Sequence, residues 1–245
     1  MPKYLEFVNS ANRESYSNSS SDFTCSLSQS FQKVKSIKLI GYYIANTIYT
    51  INDYNYQLTY VENAGTDSIT ISIPKKVYTT SQLATELGTL MTANTLNAIT
   101  YTVTYDTQTY KFTFTASTSD FYFDYTHLTY GCFRELGFDV NYTGTASSSV
   151  TSSNMVRLDN NFILMETDLS NDIKGSNTGL GTCSFILQLP SIGTSDFFNT
   201  EVIQHTLKTG KSQFNKIKIK LIDTSNRTIN FNGSNNIFIF EIEAE

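Results

Sequence analysis

The stretch KIKIKLIDTSNRTINFNGSNNIFIFEIE, residues 216–243, decides the fold that this sequence predicts. In its first part Lys216, Lys218 and Lys220 alternate with apolar residues, and a period of two is typical of a strand with one wet and one buried face. Its last part, NIFIFEIE (236–243), returns as a second and more apolar run after a polar turn. We therefore predict that the chain ends in a pair of β-strands.

Strand signals of the same kind recur along the rest of the chain. Turn-like residues separate them, as in ENAGTD (62–67) and DTQT (106–109), and Gly41 marks a bend or bulge. The predicted strands are FTCSL (23–27), a long segment from Val34 to Tyr49, YQLTYV (56–61), SITISI (68–73), TYTVTY (100–105), KFTFTA (111–116), FYFDY (121–125), NFILMET (161–167), TCSFILQL (182–189) and EVIQHTL (201–207). Many short strands without a βαβ alternation indicate an all-β sandwich.

One segment, VYTTSQLATELGTLMTAN (77–94), has the period of a helix instead. Its apolar residues fall at i, i+4, i+7 and i+8, on one helix face: Leu83, Leu87, Leu90 and Met91. Thr79 and Gln82 have the spacing of a capping box, and Asn94 is a candidate end. We predict a helical insertion at 77–94, with the helix over about 79–94 packed on the sheet.

Composition and charge narrow the class of protein. At 245 residues the chain is long enough for one large β-domain, and 16 Tyr and 17 Phe favour strands. A net charge of −5 argues against a dedicated nucleic-acid binder. No apolar run approaches the roughly 20 residues of a membrane-spanning helix, and the start of the chain has no secretory-signal pattern. Three cysteines without a CxxC pair then suit a reducing cytosol.

Residues 1–22 are polar and rich in Ser and Asn, with a few aromatic residues among them. We interpret this segment as an extended N-terminal arm that precedes a jelly-roll domain at 23–245, because it lacks the apolar density to fold by itself. Tyr4, Phe7 and Tyr16 favour an arm that docks on a partner, and an ordinary mobile terminus is the alternative.

No stretch of the sequence has the full pattern of a catalytic, cofactor or metal site. TGKSQ (209–213) ends like a phosphate-binding loop, but His205 stands where the first glycine is required and a strand pattern follows. His127 and Cys132 are five residues apart, which permits a base and a nucleophile, yet no third group orients them. Two histidines and scattered cysteines make no zinc set. We therefore predict a protein that is not an enzyme and binds no cofactor.

The basic strand face formed by Lys216, Lys218 and Lys220 has two interpretations. The simpler one is a solvated face whose lysines discourage pairing with another strand. The other is a contact with an acidic neighbouring subunit or with packaged nucleic acid.

Four parts of the sequence together resemble a known family. The parts that resemble it are the opening, NSANRESYSNSSSDFTCSLSQSFQKVKSIKLIGYYIANTIYTI (9–51), the segments VYTTSQLATEL (77–87) and FRELGF (133–138), and the ending at 216–243. The family comprises the penton and minor capsid proteins of virophages, polinton-like viruses and related large double-stranded DNA viruses. In that family the ending is a closing hairpin. The loops at 141–154 and 171–182 have no counterpart there.

The resemblance implies a single jelly roll with one inserted helix and an N-terminal arm, acting as a structural capsid protein. It further implies synthesis in the host cytoplasm, a place in the virion at the fivefold vertex, a homopentamer, and contacts with neighbouring major and minor capsid proteins. No catalytic residue carries over. The expected assembly contacts are Tyr4, Phe7, Arg13, Tyr16, Lys216, Lys218 and Lys220. The alternative is a receptor- or glycan-binding jelly-roll module of a viral fibre or tail, which an exposed aromatic platform beside loop carboxylates would favour.

Overall fold

The computed structural model describes residues 1–17, 19–63, 67–125, 129–139, 144–156, 158, 161–169, 173–174, 182–199, 206–207 and 213–245. The described part of the chain is nearly all β, with one α-helix, α1 (Thr80–Asn94), and a short 3-10 helix at Ser10–Asn12. The strands are β1 (Lys3–Asn9), β2 (Asp22–Gln32), β3 (Ser36–Ala45), β4 (Gln57–Glu62), β5 (Asp67–Ser72), β6 (Tyr101–Asp106), β7 (Lys111–Ala116), β8 (Phe121–Phe123), β9 (Ser149–Thr151), β10 (Phe162–Thr167), β11 (Ile173–Lys174), β12 (Thr182–Cys183), β13 (Phe185–Gln188), β14 (Ser195–Asn199), β15 (Thr206–Leu207), β16 (Gln213–Ile222) and β17 (Ile237–Glu243).

The chain divides into two compact units. Unit 1 comprises Met1–Ile48 and Asn160–Glu245, and unit 2 comprises Tyr49–Asp159. The insertion into the jelly roll is therefore longer than the predicted 77–94, because it contains six short strands as well as the helix. A helix of 15 residues cannot bury its apolar face alone, and these strands supply the surface that it packs against.

Unit 1 is a jelly roll built from two antiparallel sheets, one of five strands and one of four. Sheet A has the order β1-β17-β3-β14, with β15 also pairing with β3, and sheet B has the order β2-β16-β10-β13. If the eight strands in these two orders are numbered along the chain, the two sheets read 1-8-3-6 and 2-7-4-5. That is the order of two nested Greek keys, so the predicted single jelly roll is confirmed.

The core of unit 1 lies between these two sheets, because each long strand turns every second residue inwards. In β16 the apolar residues between the lysines point inwards, as the period of two predicts. In β17 the same alternation buries Phe238, Phe240 and Ile242. Phe23 and Phe31 of β2 complete an aromatic centre in which Phe23 stacks on Phe238 with ring centroids 6.5 Å apart.

The first strand corrects the prediction of an arm over residues 1–22. Residues Lys3–Asn9 form β1, which pairs along its whole length with β17. Val8 and the half-buried Tyr4 pack into the core of unit 1. Between them Glu6 is buried and accepts hydrogen bonds from the backbone N–H and the hydroxyl of Ser28. The segment has few apolar residues, but it completes a sheet, so the core does not begin near Phe23.

The residues after β1 are also held by hydrogen bonds. The backbone N–H of Glu14 donates to the Thr24 carbonyl at 2.8 Å, and the N–H of Thr24 donates to the Ser17 hydroxyl at 2.9 Å. The Ser and Asn content that indicated a loose arm instead serves a tight connection along β2, because short polar side chains satisfy nearby backbone groups.

The two strands that close the chain belong to different sheets. β16 lies in sheet B between β2 and β10, and β17 lies in sheet A between β1 and β3. The family's closing hairpin is therefore a crossover from one sheet to the other. Its turn is fixed by Asp223, whose carboxylate accepts from the backbone N–H groups of Ser225 and Arg227 and from the Arg227 guanidinium.

The predicted irregularity at Gly41 is confirmed. The pairing of β3 with β17 shifts between Ile239 and Phe240, which face Gly41 and Leu39 and leave Ile40 as the extra residue. Leu39 and Tyr42 both point inwards across this bulge, so the strand keeps its buried face on either side of it.

Unit 2 contains two three-stranded sheets and α1. The strands on either side of the two turn-like stretches pair with each other: β4 pairs with β5, and β6 pairs with β7. β9 pairs with β7 inside a stretch that the sequence suggested was only a loop. The capping box of Thr79 and Gln82 is present, and α1 ends at Asn94. Within the described ranges, α1 is too short and too polar to cross a membrane.

A buried carboxylate organises the end of α1. Glu62 of β4 is fully buried and accepts four hydrogen bonds. The donors are the Thr95 hydroxyl at 3.1 Å, the Leu96 N–H at 3.3 Å, the Asn97 amide at 2.9 Å and the Tyr101 hydroxyl at 2.9 Å. These four hydrogen bonds replace the contacts with water that the Glu62 carboxylate loses on burial. Burial and the hydrogen bond to Glu62 raise the pKa of Tyr101.

All three cysteines are buried thiols. Cys25 lies in the core of unit 1, Cys132 in the core of unit 2, and Cys183 in a small cluster with Leu164 and Ile222. Burial raises the pKa of Cys25 from 9.0 to about 11, and it also raises the pKa values of Cys132 and Cys183. Each thiol is thereby held neutral at physiological pH.

The role of β1 in the core can be tested with two substitutions on opposite faces of that strand. Val8→Ala should lower the free energy of unfolding by about 2 kcal/mol, because Val8 is 1% exposed and its truncation leaves a cavity. Leu5→Ala is the control: Leu5 is 64% exposed, and we expect a change within about 0.5 kcal/mol. Urea unfolding followed by circular dichroism measures both. If the two variants unfold alike, β1 is not part of the core.

The buried thiols should resist alkylation in the native protein. A rise in pKa from 9.0 to about 11 lowers the thiolate fraction of Cys25 at neutral pH by about 100-fold, and iodoacetamide reacts with the thiolate. Intact-mass measurement should show all three sites labelled in concentrated urea and almost none in the native chain. A Leu5→Cys variant should gain one fast-reacting thiol. Rapid native labelling of Cys132 would show instead an accessible nucleophile.

Candidate assembly surface

The outer face of sheet A carries a continuous apolar surface. We call it the Phe7 stripe: Leu5 and Phe7 of β1, Ile237 and Ile239 of β17, Tyr43 of β3 and Phe197 of β14. The register places Phe7 opposite Ile239, Ile237 opposite Tyr43, and Tyr43 opposite Phe197, so the stripe crosses all four strands. Phe7 is 67% exposed and Phe197 is 53% exposed. Large exposed aromatic residues grouped in this way mark interaction surfaces.

Gly41 makes the stripe continuous. A Cβ atom built on Gly41 would lie 2.8 Å from Cζ of Phe197, so the ring of Phe197 lies directly over the glycine. Any larger residue would push the ring away, because real Cβ atoms do not approach that closely. The ring thereby fills the position between Tyr43 and Ile239 that the absent side chain leaves open.

Charges border the stripe and are paired with one another. Lys3 lies 3.0 Å from the Glu241 carboxylate, and Lys38 lies 3.9 Å from the same group. Beyond them Lys35 and Glu243 form a further pair at 3.6 Å. Exposed pairs of this kind add little to stability. Their effect here is that the stripe is uncharged and its margin is close to neutral.

The outer face of sheet B exposes a second apolar area beside its edge strand β13. We give the name Phe162 patch to Phe162 of β10 and Ile186 of β13. The two residues are 45% and 56% exposed, respectively. The residues next to them on this face, Leu164 and Ile222, are buried together with Cys183. The two sheets therefore present apolar groups on opposite outer faces of the same sandwich.

The lysine face of β16 is neutralised within the chain. Nζ of Lys216 lies 3.0 Å from the carboxylate of Glu14, that of Lys218 lies 3.7 Å from Asp22, and that of Lys220 lies 3.6 Å from Glu166. The hydrogen bond to Glu14 raises the pKa of Lys216. These pairs favour the solvated-face interpretation over a contact with nucleic acid, because phosphate binding requires cations that are available to it.

The residues expected to make assembly contacts in the N-terminal segment lie in different settings. Tyr4 packs edge-on against Phe31 with ring centroids 5.4 Å apart, inside unit 1. Arg13 donates to the Ser10 carbonyl at 2.8 Å. Tyr16 is exposed, with Nζ of Lys216 5.8 Å from its ring centre. Of the four expected residues in this segment, Phe7, Arg13 and Tyr16 are exposed, and Tyr4 is half-buried.

The candidate chemical groups form no site in the described residues. Cys132 is fully buried, which agrees with a structural role. The predicted positions His127, His205 and Gly210–Ser212 lie outside the described residues. Across the described ranges, no three His, Cys, Asp or Glu side chains group as metal ligands.

One aromatic pair in unit 2 fits the feature expected of a glycan-binding module. The rings of Tyr56 and Tyr130 stack with centroids 5.5 Å apart, and Tyr130 is partly exposed. Nζ of Lys75 lies 4.5 Å from the Tyr56 ring centre and 2.5 Å from a carboxylate oxygen of Asp53. Because Tyr56 already contacts both Tyr130 and Lys75, a sugar ring would have to stack on Tyr130.

Sequence reasoning missed Phe197 and the Phe162 patch as surface residues. The available signal was an apolar run without alternation, as in SDFFN (195–199), NFILM (161–165) and SFILQ (184–188). In a strand, neighbouring side chains point to opposite faces, so consecutive apolar residues place one of them outside. Such runs therefore predict a strand that is apolar on both faces, which a single sandwich core does not cover.

Comparison with known proteins gives a likeness to solved structures and no match to a sequence family. Neither a protein-family model nor a curated protein matches the sequence. The fold is similar to that in the crystal structure of a selenomethionine-labelled mavirus penton protein. The two share 12% sequence identity, the alignment covers 99% of this chain and 100% of that one, and the TM-score is 0.49.

Proposed function

We propose that this chain is a structural subunit of a viral capsid and has no catalytic role. The observation that carries the proposal is a complete jelly roll with exposed apolar groups on both outer faces, Phe7 and Phe197 on one and Phe162 and Ile186 on the other. A monomeric protein gains nothing from such faces, since they promote association. A shell subunit needs contacts on several sides at once.

The sequence resemblance to virophage penton and minor capsid proteins supports the same proposal. Its parts map onto the framework of the fold: the opening runs from the end of β1 through β3, one segment leads into α1, and the ending comprises β16 and β17. A jelly roll hosts many functions, so the fold by itself does not select this one. The resemblance is what favours a capsid over other uses.

The finer proposal is a penton: five copies around the vertex, in contact with neighbouring major and minor capsid proteins of the virion after synthesis in the host cytoplasm. Phe7 and Tyr16 supply exposed aromatic contacts for this assembly, whereas Tyr4 and the paired Lys216, Lys218 and Lys220 contribute mainly within the subunit.

The purified full-length protein should form a closed ring. At high concentration and moderate salt, native mass spectrometry should show a species of five 27.5 kDa chains in equilibrium with the monomer. Sedimentation velocity on the same samples checks that the species is discrete, because a cyclic contact closes and an open one extends without limit. A strictly monomeric protein under these conditions would count against a self-assembling vertex subunit.

The second candidate function is a receptor- or glycan-binding module, which the Tyr56–Tyr130 pair favours. If it is correct, a glycan array should show saturable binding that Tyr130→Ala abolishes and Tyr110→Ala leaves intact. Tyr110 is the control because it is a similarly exposed tyrosine of unit 2. An array without binding, together with a ring in solution, would leave the capsid subunit as the proposal that stands.

A further inference from the structure

We propose that the Phe7 stripe of one copy binds the Phe162 patch of a second copy, so that sheet A of each subunit faces sheet B of its neighbour. This inference rests on the proposed capsid role and deepens it by naming the two contact faces. The contact is between unlike surfaces of identical chains. It therefore repeats from subunit to subunit, as a ring requires.

The first argument is area. An aromatic side chain has about 150–250 Å² of surface, so Phe7 at 67% and Phe197 at 53% exposure leave roughly 180–300 Å² open between them. A standard interface buries about 800 Å² per partner. The two rings thus match the apolar centre of an interface, and the surrounding polar residues match its rim.

The second argument is charge. The stripe contains no charged residue, and Lys3 and Lys38 at its border share Glu241. A nucleic acid would need free cations, which this face does not offer. The Phe162 patch is likewise uncharged, and Lys220 on that face pairs with Glu166. Two uncharged faces meet without the cost of burying an unpaired charge.

The third argument is the edge position of the apolar residues. β1 ends the order of sheet A, and β13 ends the order of sheet B. Edge strands of soluble proteins usually carry charges that prevent association. β1 instead exposes Leu5 and Phe7, and β13 exposes Ile186. β1 also carries Lys3 and the inward-pointing Glu6, but Leu5 and Phe7 leave apolar surface at this edge, as Ile186 does at the edge of sheet B. A second copy would cover both.

The test uses full-length variants in which one face is made polar. Variant A carries Phe7→Ser and Phe197→Ser, and variant B carries Phe162→Ser and Ile186→Ser. In sedimentation velocity each variant alone should need at least a tenfold higher concentration than the unmodified protein to associate. An equimolar mixture should form dimers and nothing larger, because variant A retains only the patch and variant B only the stripe.

Two controls keep the result interpretable. Leu96→Ser changes a residue of unit 2 that is 66% exposed, and it should associate like the unmodified protein. All variants should keep the unmodified melting temperature, since the altered residues are largely exposed. A variant that melts early is replaced by the single substitution Phe7→Ser or Ile186→Ser, with the same expected loss of association.

Each other outcome has a defined meaning. If variant B still self-associates while variant A does not, the stripe binds another stripe, and the proposed pairing of unlike faces is wrong. If both variants assemble normally, neither face is an interface, although the capsid role stands. If the unmodified protein stays monomeric at all concentrations, the stripe serves another partner. In that case the self-assembling vertex role fails together with this inference.

Discussion

The position of β17 between β1 and β3 is the constraint on which unit 1 depends. It joins the first, third and last strands of the jelly roll in one sheet, with an unbroken register to β1 and one bulge opposite β3. Its inward side contributes Phe238, Phe240 and Ile242 to the core, and its outward side contributes Ile237 and Ile239 to the Phe7 stripe. One strand thus contributes both to the core of the sandwich and to the surface proposed for assembly.

The sequence predicted the strands that alternate clearly and the apolar runs of β10 and β13, but it missed β1, β9 and β14. β16, β6 and β7 alternate clearly, and α1 has a capping box and an apolar stripe, so their types were confirmed. β1 was missed because its inward side contains Glu6 while Leu5 and Phe7 point outwards, which removes the pattern. The sheet order depends on contacts between strands far apart in the chain, and a period of two carries no information about it.

The candidate surface was predictable only in part, for a related physical reason. Phe7 was singled out as an assembly contact, and it is exposed, although it lies on a strand instead of an arm. The lysines of β16 were visible in sequence, but their partners Glu14, Asp22 and Glu166 come from distant segments. A charge pattern shows where cations lie, whereas the fold decides whether they are already neutralised.

The pairing of β1 with β17 also determines when unit 1 can form during synthesis. Residues Lys3–Asn9 have no sheet to join until Ile237–Glu243 have left the ribosome, whereas unit 2 is continuous in the chain and can fold earlier. The Phe7 stripe combines side chains from both ends of the chain, so it is absent from every unfinished copy. A nascent chain that does not yet contain Ile237 and Ile239 therefore lacks this surface, and only chains that contain both segments can present it to one another.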